Sequence, residues 1–537
     1  LDHARVYTPD RVEGRLSAEQ LRIARLLELL GECTRFQGKF EDARGFYEQV
    51  LDLRKRQSIS GDSDEYRYEA QVQALLWCEI GVTWYNFGQN RGVLECFQQG
   101  EQVLKGAGII AGPAWAYIRY MQSHVSGREG AYEKARHTAE EALKLFEETL
   151  KRKEYTIDHI RYPTLISRIL MGDPVNLGRT HRLLAAIAVS DGHSEESLDH
   201  LRTALTLFEE HDSKRDIAIV CCNLGDLHIR KAEYDSAQSF FRRALSIAER
   251  IGDTQSVYVA LNNEGVLAAR LGNLLEAESW YERGLTLARG VNDPAYMSIL
   301  YTYLAIVLQD QGRFEAARKS LREALSIGHT FRIAPCVGFA LTTLGYVRFV
   351  SARFMIETNT EEHSNGLRIL KQARNVLMKA IAMEGLEAET RTEGRLILSQ
   401  VLLLMGSVDE AQLVAFQALE ESSKFELLWL VAQAKRILGK ISDVCSKKEE
   451  SAQQFEQARR TFSKTGMRLE HARTLCEYGE VLLKWYEGDV GRKGEQEYRR
   501  GLDYVRESVK IFRECGAELD LKLAERVMER YKVTEKA

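Results

Sequence analysis

The sequence reads LGDLHIRKAEYDSAQSFFRRAL at residues 224–245, EGVLAARLGNLLEAESWYERGL at 264–285 and LAIVLQDQGRFEAARKSLREAL at 304–325, and the three stretches superpose without gaps. Each carries a small residue near its start (Gly225, Gly265 or Ala305) and a second one twelve positions later. A bulky residue and another small residue follow at offsets of four and seven. Such offsets mark one face of a helix. The small residues let two helix backbones approach, and the bulky residue fills the gap opposite.

The first small residue recurs along the whole chain. Its positions are Gly31, Gly81, Ser123, Ala185, Gly225, Gly265, Ala305, Gly345, Ser399, Gly439 and Gly479, with a spacing of 40 residues within 185–345 and within 399–479. The second small residue is Ala, Gly or Ser in every unit except one, which has Val93. A repeat of this length indicates stacked supersecondary units that pack on their neighbours.

The composition agrees with a helical array. Only 6 of the 537 residues are proline, 28% are charged and 45% are hydrophobic, a balance that suits amphipathic helices. A chain of this length also exceeds what one compact core usually serves. We predict an all-α fold, a right-handed α-solenoid (superhelix) of about eleven helical hairpins with a period of ~40 residues.

The repeat register divides the chain into a lead-in at 1–23, a superhelix at 24–515 and a C-terminal capping helix at 516–537. The predicted repeats lie near 24–57, 74–107, 116–149, 178–211, 218–251, 258–291, 298–331, 338–387, 392–425, 432–465 and 472–515. Insertions interrupt the rhythm at 155–176, 351–366 and 485–495. Such insertions either contact a ligand or neighbouring domain or are surface loops without a role, and the sequence leaves both interpretations open.

The charge balance gives no general attraction for nucleic acid or for a membrane. Lys+Arg 74 against Asp+Glu 78 leaves a formal charge of −4, so a charged partner must be met locally. The nine cysteines form no CxxC pair, and no apolar run reaches the length of a membrane helix. We therefore expect a soluble cytoplasmic protein without a metal or other cofactor. The chain begins at Leu1, which suggests a fragment of a longer protein.

Counted from the first residue of each repeat, a small residue stands at position 8, an apolar residue at 17, Ala at 20, an aromatic residue at 24 and Ala at 27. This pattern resembles the tetratricopeptide repeat (TPR) over nearly the whole chain. The chain departs from that family in its 40-residue period, where about 34 residues are usual. The additional residues fall around turns such as Ile251-Gly252-Asp253. There Gly252 would end one helix and Asp253 would cap the next.

No catalytic motif is recognisable. The sequence lacks a GxxxxGK[ST] phosphate loop, HExxH, GxSxG and the kinase motifs. We predict that the chain binds a ligand and is not an enzyme. The vicinal pair Cys221-Cys222 is a candidate redox switch, but the register places Cys221 at a buried hairpin contact, which favours packing.

The TPR resemblance implies that the first helix of each hairpin lines an inner groove and that its positions 2, 5, 6, 9, 12 and 13 contact the ligand. The predicted groove residues are Arg179, Arg182, Asn223, Asp226, Arg230, Asn262, Asn263, Arg270, Tyr303, Gln309, Thr343 and Tyr346. Asparagine amides can hold a peptide backbone, and arginines can clamp a carboxylate or phosphate. Asn223 and Asn263, one repeat apart, are the strongest candidates, although both also suit capping or bridging of adjacent helices. The ninth unit presents apolar residues, such as Leu396 and Ile397, at these positions.

Long 40-residue TPR arrays are similar to the C-terminal sensor regions of bacterial STAND-class signal-transduction ATPases, including maltose-activator-type regulators. That resemblance implies a sensor that recognises a protein, peptide or small-molecule inducer and controls nucleotide-binding and effector domains upstream of Leu1. The array also resembles those of spindle-orientation adaptors and kinesin light chains, which implies a constitutive protein–protein adaptor instead. A P-loop upstream would distinguish the sensor from the adaptor, and a pocket of converging titratable groups would indicate a hidden enzyme.

Overall fold

The computed structural model describes residues 16–37, 39–55, 63–86, 90–128, 131–151, 164–358, 363–383, 385–488 and 491–532. Within these ranges the chain forms 24 α-helices and no strand. The helices comprise eleven hairpins, one short helix and one final helix, which confirms the predicted all-α class of helical repeats. The chain divides into two compact units, which we call unit 1 (residues 1–220) and unit 2 (residues 221–537).

Unit 1 contains four hairpins and the short helix. Its helices are α1 (Ala18–Phe36), α2 (Phe40–Lys55), α3 (Asp64–Asn86), α4 (Asn90–Gly106), α5 (Pro113–Arg128), α6 (Tyr132–Lys151), α7 (Leu165–Leu170), α8 (Pro174–Asp191) and α9 (Ser194–Glu210). Helix α10 (Lys214–Arg230) crosses the boundary between the units. α1 begins inside the predicted lead-in, whose residues 1–15 lie outside the described ranges. Residues 155–163 of the first insertion also lie outside them, and the remainder holds α7 and the start of α8.

Unit 2 holds the remaining hairpins. Its helices are α11 (Tyr234–Ile251), α12 (Thr254–Arg270), α13 (Leu274–Gly290), α14 (Pro294–Asp310), α15 (Phe314–Thr330), α16 (Ala334–Thr358), α17 (His363–Ile381), α18 (Ala388–Leu404), α19 (Val408–Lys424), α20 (Leu428–Val444), α21 (Lys448–Thr465), α22 (Arg468–Tyr486), α23 (Arg492–Cys515) and α24 (Glu518–Arg530). The predicted insertion 351–366 falls on the end of α16 and the start of α17, and 485–495 falls on the end of α22 and the start of α23. Residues 359–362 and 489–490 of these insertions are outside the described ranges.

The turns between hairpins contain the residues that the sequence marks as helix breakers. Gly252 follows the last residue of α11 with a φ of 68°, a left-handed conformation that favours glycine. The Asp253 carboxylate then accepts a hydrogen bond from the backbone N–H of Ser256 (3.4 Å) at the start of α12. Asp293 accepts one from the N–H of Tyr296 (3.1 Å) one repeat later. These caps satisfy backbone donors that the helix itself leaves free.

In six of the described hairpins an aromatic ring of the second helix lies on a glycine of the first, and in two others a leucine or valine takes the place of the ring. A Cβ atom added to Gly265 would lie 2.5 Å from Cε1 of Tyr281, and one added to Gly439 would lie 2.8 Å from Cδ2 of Phe455. Both rings are almost completely buried. Because these glycines have no Cβ, the rings can lie directly on the backbone of the first helix. Burying a side chain of this size stabilises the fold by about 1.5–3 kcal/mol.

The first helices of successive hairpins line the interior of unit 2. Starting from α14, contacts run through α16, α18, α20 and α22 to α24, and α24 returns to contact α14 and α16. The turn between α12 and α13 takes part in this closure, because a Cβ on Gly272 (φ 84°) would lie 2.8 Å from Sγ of Cys515. Unit 2 therefore encloses an interior space. Among the helices of the described ranges, none combines the length and the apolar character needed to cross a bilayer.

Candidate functional site

The interior of unit 2 holds a cavity of about 260 Å³, which we call the inner cavity. Its walls are the first helices α12, α14, α16, α18, α20 and α22, together with α24. Apolar side chains such as Phe349, Leu396 and Leu519 make up much of the surface. The charged groups in the lining are four arginines and five acids, Arg270, Arg353, Arg436, Arg473, Asp310, Glu393, Glu470, Glu477 and Asp520. An apolar cavity with a few convergent polar groups is typical of a ligand site.

Arg473 of α22 joins three walls of the inner cavity. Its guanidinium donates to Glu470 Oε1 (2.7 Å), Asp310 Oδ1 on α14 (2.9 Å) and Asp520 Oδ2 on α24 (2.7 Å). The hydroxyl of Tyr346 on α16 also donates to Asp310 Oδ1 (2.6 Å). Burial raises the pKa of Asp310 although Arg473 opposes that shift. We call these five residues the Arg473 cluster, and it fastens the last helix of the unit to α14.

Glu477 of α22 anchors a second charged group. It accepts from Lys440 Nζ (2.8 Å) and from Arg353 Nη1 (3.4 Å), and Arg436 Nε lies 3.6 Å from its other oxygen. Burial opposes ionisation of Glu477, yet the three cations lower its pKa to about 2. Arg353 also donates from Nε to Glu357 (2.8 Å) on its own helix. Helices α16, α20 and α22 are therefore held together by fully ionised groups.

A third group surrounds Glu389, which lies just outside the lining of the inner cavity. Arg270 donates to Glu389 Oε1 (2.9 Å), and Arg230 Nη2 lies 3.3 Å from Oε2. Although burial favours the neutral acid, the two guanidinium groups keep the pKa of Glu389 below its usual value. The Arg270 guanidinium also lies 4.0 Å from the centre of the Trp429 ring, a cation–π contact.

Glu393 is one helical turn beyond Glu389 on α18 and faces the inner cavity. Burial and the neighbouring negative charge of Glu389 raise the pKa of Glu393 to about 8, against the attraction of Arg270. Within the described part of the chain, no hydrogen bond or ion pair engages the Glu393 carboxyl. The same is true of the amides of Gln400 and Gln433, which also line the cavity. These three groups are available to a ligand.

Four of the predicted groove residues line the inner cavity: Arg270, Tyr303, Thr343 and Tyr346. They come from α12, α14 and α16, so the structure brings residues of three successive repeats together. The Tyr303 ring stacks on Tyr281 at a centroid distance of 5.5 Å, which fixes its orientation toward the cavity. Arg270 is engaged by Glu389, and the hydroxyl of Tyr346 by Asp310.

The other predicted residues of unit 2 are not part of the lining. Asn223, Asp226 and Arg230 lie on α10, Asn262 and Asn263 on α12, and Gln309 on α14. Arg230 pairs with Asp226 (3.4 Å) and with Glu389, so it supports the wall from behind. Asn262 donates to Asn263 Oδ1 (3.3 Å), a bridge within one helix. Gln309 is fully buried, and its amide atoms have no partner among the described residues.

Arg179 and Arg182 belong to α8 of unit 1. Arg179 donates from Nη2 (2.9 Å) and Nε (3.1 Å) to the two oxygens of Asp216. Burial of Asp216 favours its neutral form, but Arg179, a hydrogen bond from Ser213 and the charge of Arg182 together lower its pKa. The two arginines therefore serve an internal ion pair in unit 1.

The apolar residues Leu396 and Ile397 of the ninth unit line the cavity, but the charged and polar groups of the last three hairpins were not among the predicted groove residues, although the repeat register contains them. Positions 2, 5 and 6 of the ninth to eleventh units include Glu393, Gln433, Arg436, Arg473, Cys476 and Glu477, all of which line the inner cavity. Of the first helix of the sixth unit, only the end, Val266 to Arg270, reaches the cavity. The cavity thus crosses successive helices obliquely, which explains why Asn263 lies outside it and Tyr303, at the same repeat position, lies inside.

The described residues offer no obvious reactive centre of another kind. No three His, Cys, Asp or Glu side chains in the described ranges converge as a metal site would require. Cys221 and Cys222 are both buried, and burial raises the pKa of the Cys222 thiol to about 12. Because the thiolate is the reactive form of cysteine, this environment suits packing and not redox chemistry.

Comparisons with known proteins point to one repeat family. Residues 178–350 match the sequence profile described as the MalT-like TPR region, and residues 26–59 match that of a tetratricopeptide repeat. A search of curated protein sequences gives no match.

The chain is similar to several solved structures. A Rap protein complexed with competence and sporulation factor is 12% identical with a TM-score of 0.48, and the match covers 76% of this chain and 99% of that one. Aspartyl phosphate phosphatase F from Bacillus subtilis is 10% identical with a TM-score of 0.42, covering 76% and 95%. A STAND protein with a tetratricopeptide repeat sensor from Pyrococcus horikoshii is 11% identical with a TM-score of 0.37, covering 77% and 64%.

The hairpins of the described residues, the close packing of large side chains on glycines in many of them and the two profile matches agree with one another. Residues 178–350 thus match a MalT-like TPR region and residues 26–59 a single tetratricopeptide repeat, within a chain whose described residues form helical hairpins throughout.

Proposed function

We propose that this chain is a non-catalytic sensor and that the inner cavity of unit 2 binds its inducer. The observation that carries the proposal is the cavity itself, which combines apolar walls with three polar groups, Glu393, Gln400 and Gln433, that have no partner in the described residues. Its volume of about 260 Å³ is close to the lower end of the roughly 300–1,000 Å³ typical of ligand pockets. A small molecule fits these dimensions better than a folded segment of a protein.

The MalT-like match supports a sensor over an adaptor. Residues 178–350 include α12, α14 and most of α16, which form one side of the inner cavity. In the proposed scheme, binding of the inducer changes how the array acts on nucleotide-binding and effector domains of the STAND class. A constitutive adaptor would have no need of an internal ligand.

The geometry also offers a route by which binding can be transmitted. One wall of the inner cavity belongs to α14 and α16, and α22 and α24 form the wall that closes against it. The Arg473 cluster joins these walls directly. In the proposed scheme, the walls also have an arrangement in which the Arg473 cluster is broken. A ligand that contacts both walls binds the two arrangements with different affinities, and this difference shifts the balance between them.

Thermal unfolding with a panel of small metabolites tests the proposal. Ile397 lines the cavity, and Ile397→Trp fills part of it, whereas Leu413→Trp adds the same bulk on the exposed side of α19. We expect compounds that raise the Tm of the wild type and of Leu413→Trp but not of Ile397→Trp. Gln433→Met, which keeps the volume and removes the amide, provides a second variant should the tryptophan disturb folding. If every stabilising compound acts equally on all four proteins, the inner cavity is not the binding site.

A further inference from the structure

Among the charged side chains that line the inner cavity in the described ranges, Glu393 is the one without an ion-pair partner. Arg473, Arg436 and Arg353 each contact at least one carboxylate, and the acids of those clusters each contact at least one cation. Near Glu389 the cations are Arg230 and Arg270, and the anions are Glu389, Asp226 and Glu387. The acids of this group already outnumber its cations before Glu393 is counted.

Glu393 is therefore the cavity-lining carboxyl to which the described residues supply no cation of its own. The titratable groups that face it are Glu389 on its own helix, Arg270 on α12 and Tyr303 on α14. Arg270 is directed to a different acid, since its Nη2 donates to Glu389 and its plane lies on Trp429. Ionised Glu393 would stand in an apolar cavity without a cation, a costly arrangement that a proton relieves when the cavity is empty.

Resting on the proposed function, we infer that the ligand of the inner cavity is a small amphipathic organic cation whose ammonium or amidinium group pairs with Glu393. The ligand's charge replaces the proton and completes the pairing of charges. Gln400 lies two turns further along α18 and Gln433 on the adjacent α20, so their amides can accept the remaining N–H donors. The aromatic face of Tyr303 and the side chains of Leu396 and Ile397 surround the apolar body of the ligand.

This exchange makes binding depend on pH in a defined direction. Below pH 8 the carboxyl must release its proton before it pairs with the ligand, so the affinity for an amine rises about tenfold per pH unit from pH 6 to pH 8. A neutral ligand that accepts a hydrogen bond from the protonated acid shows the opposite trend, because it loses its donor above pH 8.

Calorimetry on the whole chain with hexylamine and its neutral analogue hexan-1-ol tests the inference. We expect hexylamine to bind more tightly at pH 8 than at pH 6, and Glu393→Gln to weaken it about 10- to 100-fold and abolish the pH trend. The same substitution should leave hexan-1-ol unaffected. Glu315→Gln, at an exposed position of α15, is the matched control and should bind both compounds like the wild type.

Two results overturn the inference. One is equal binding of hexylamine and hexan-1-ol at every pH, and the other is unchanged hexylamine affinity in Glu393→Gln. Suppose that hexan-1-ol binds, that Ile397→Trp blocks its binding, and that hexylamine binds no more tightly than hexan-1-ol. The inner cavity then remains a ligand site, but the inference that its ligand is a cation is wrong. If neither compound binds the wild type and the metabolite panel is also silent, the proposed function fails with it.

Discussion

Replacing Arg473 by methionine should release the last helix of unit 2. The change keeps a long apolar side chain and removes the guanidinium that contacts Asp310, Glu470 and Asp520. All four side chains are at most 17% exposed, so the charges left behind are poorly solvated. Removing one partner of a buried ion pair costs about 3–5 kcal/mol. We expect that cost to appear as local opening of α24, because Asp520 has no other ion-pair partner among the described residues.

Hydrogen exchange read by mass spectrometry separates this local effect from global unfolding. In Arg473→Met, amides of α24 (Glu518–Arg530) should lose protection by about two to three orders of magnitude, while those of α18 and α19 should change little. Arg318→Met removes an exposed pair with Glu315 on α15 and is the matched control. A surface substitution of that kind changes stability by about 0.5 kcal/mol or less.

A second substitution tests whether the loss of protection comes from the carboxylates that Arg473→Met leaves unpaired. Asp310 is the most deeply buried of the three acids, and Asp310→Asn removes the charge that Arg473 neutralises. We expect Arg473→Met with Asp310→Asn to recover part of the lost protection. Unchanged protection of α24 in the single variant, or a double variant that is weaker than the single one, would refute the role assigned to the Arg473 cluster.

Two further predictions concern stability. Gly265→Ala places a methyl group against Tyr281 and should lower the free energy of unfolding by about 1–3 kcal/mol in denaturant titrations. Gly290→Ala, where the added Cβ meets nothing within 4 Å, should stabilise by up to about 1 kcal/mol, and equal effects of the two would contradict the packing argument. For Glu393 the folded-state pKa of about 8 lies above the ordinary value of a glutamate, so the folded state holds a proton that the unfolded state releases. Stability should therefore fall by up to about 1.4 kcal/mol per unit as pH rises toward 8. Glu393→Gln should remove that slope, and an identical pH profile in both proteins would contradict the protonated state.

The repeat architecture was predictable because local rules determine it. The 40-residue interval of Gly225, Gly265 and Ala305 describes contacts between adjacent helices, and such contacts depend on residues close together in the chain. The caps at Gly252 and Asp253 follow from backbone conformation and unsatisfied donors, which are equally local.

The inner cavity was only partly predictable because it depends on how far the array turns. Tyr303 and Asn263 occupy the same repeat position, yet only Tyr303 reaches the cavity. The return of α24 to α14 brings Asp520 and Asp310 to one guanidinium, and no repeat pattern encodes a contact over that separation. Reading the inner positions of every unit, including the last three, would have identified Glu393 and Arg473.

The closure of unit 2 also sets the moment at which the cavity comes into existence during synthesis. Arg473 and Asp310 are separated by 163 residues, a distance that a ribosome covers in roughly 10 to 30 s. Throughout that interval the emerging hairpins can stack one by one, but the helices that close against α14 have not yet been made. A chain that ends before α24 therefore lacks the helix whose Asp520 pairs with Arg473, and the inner cavity of such a chain is not closed.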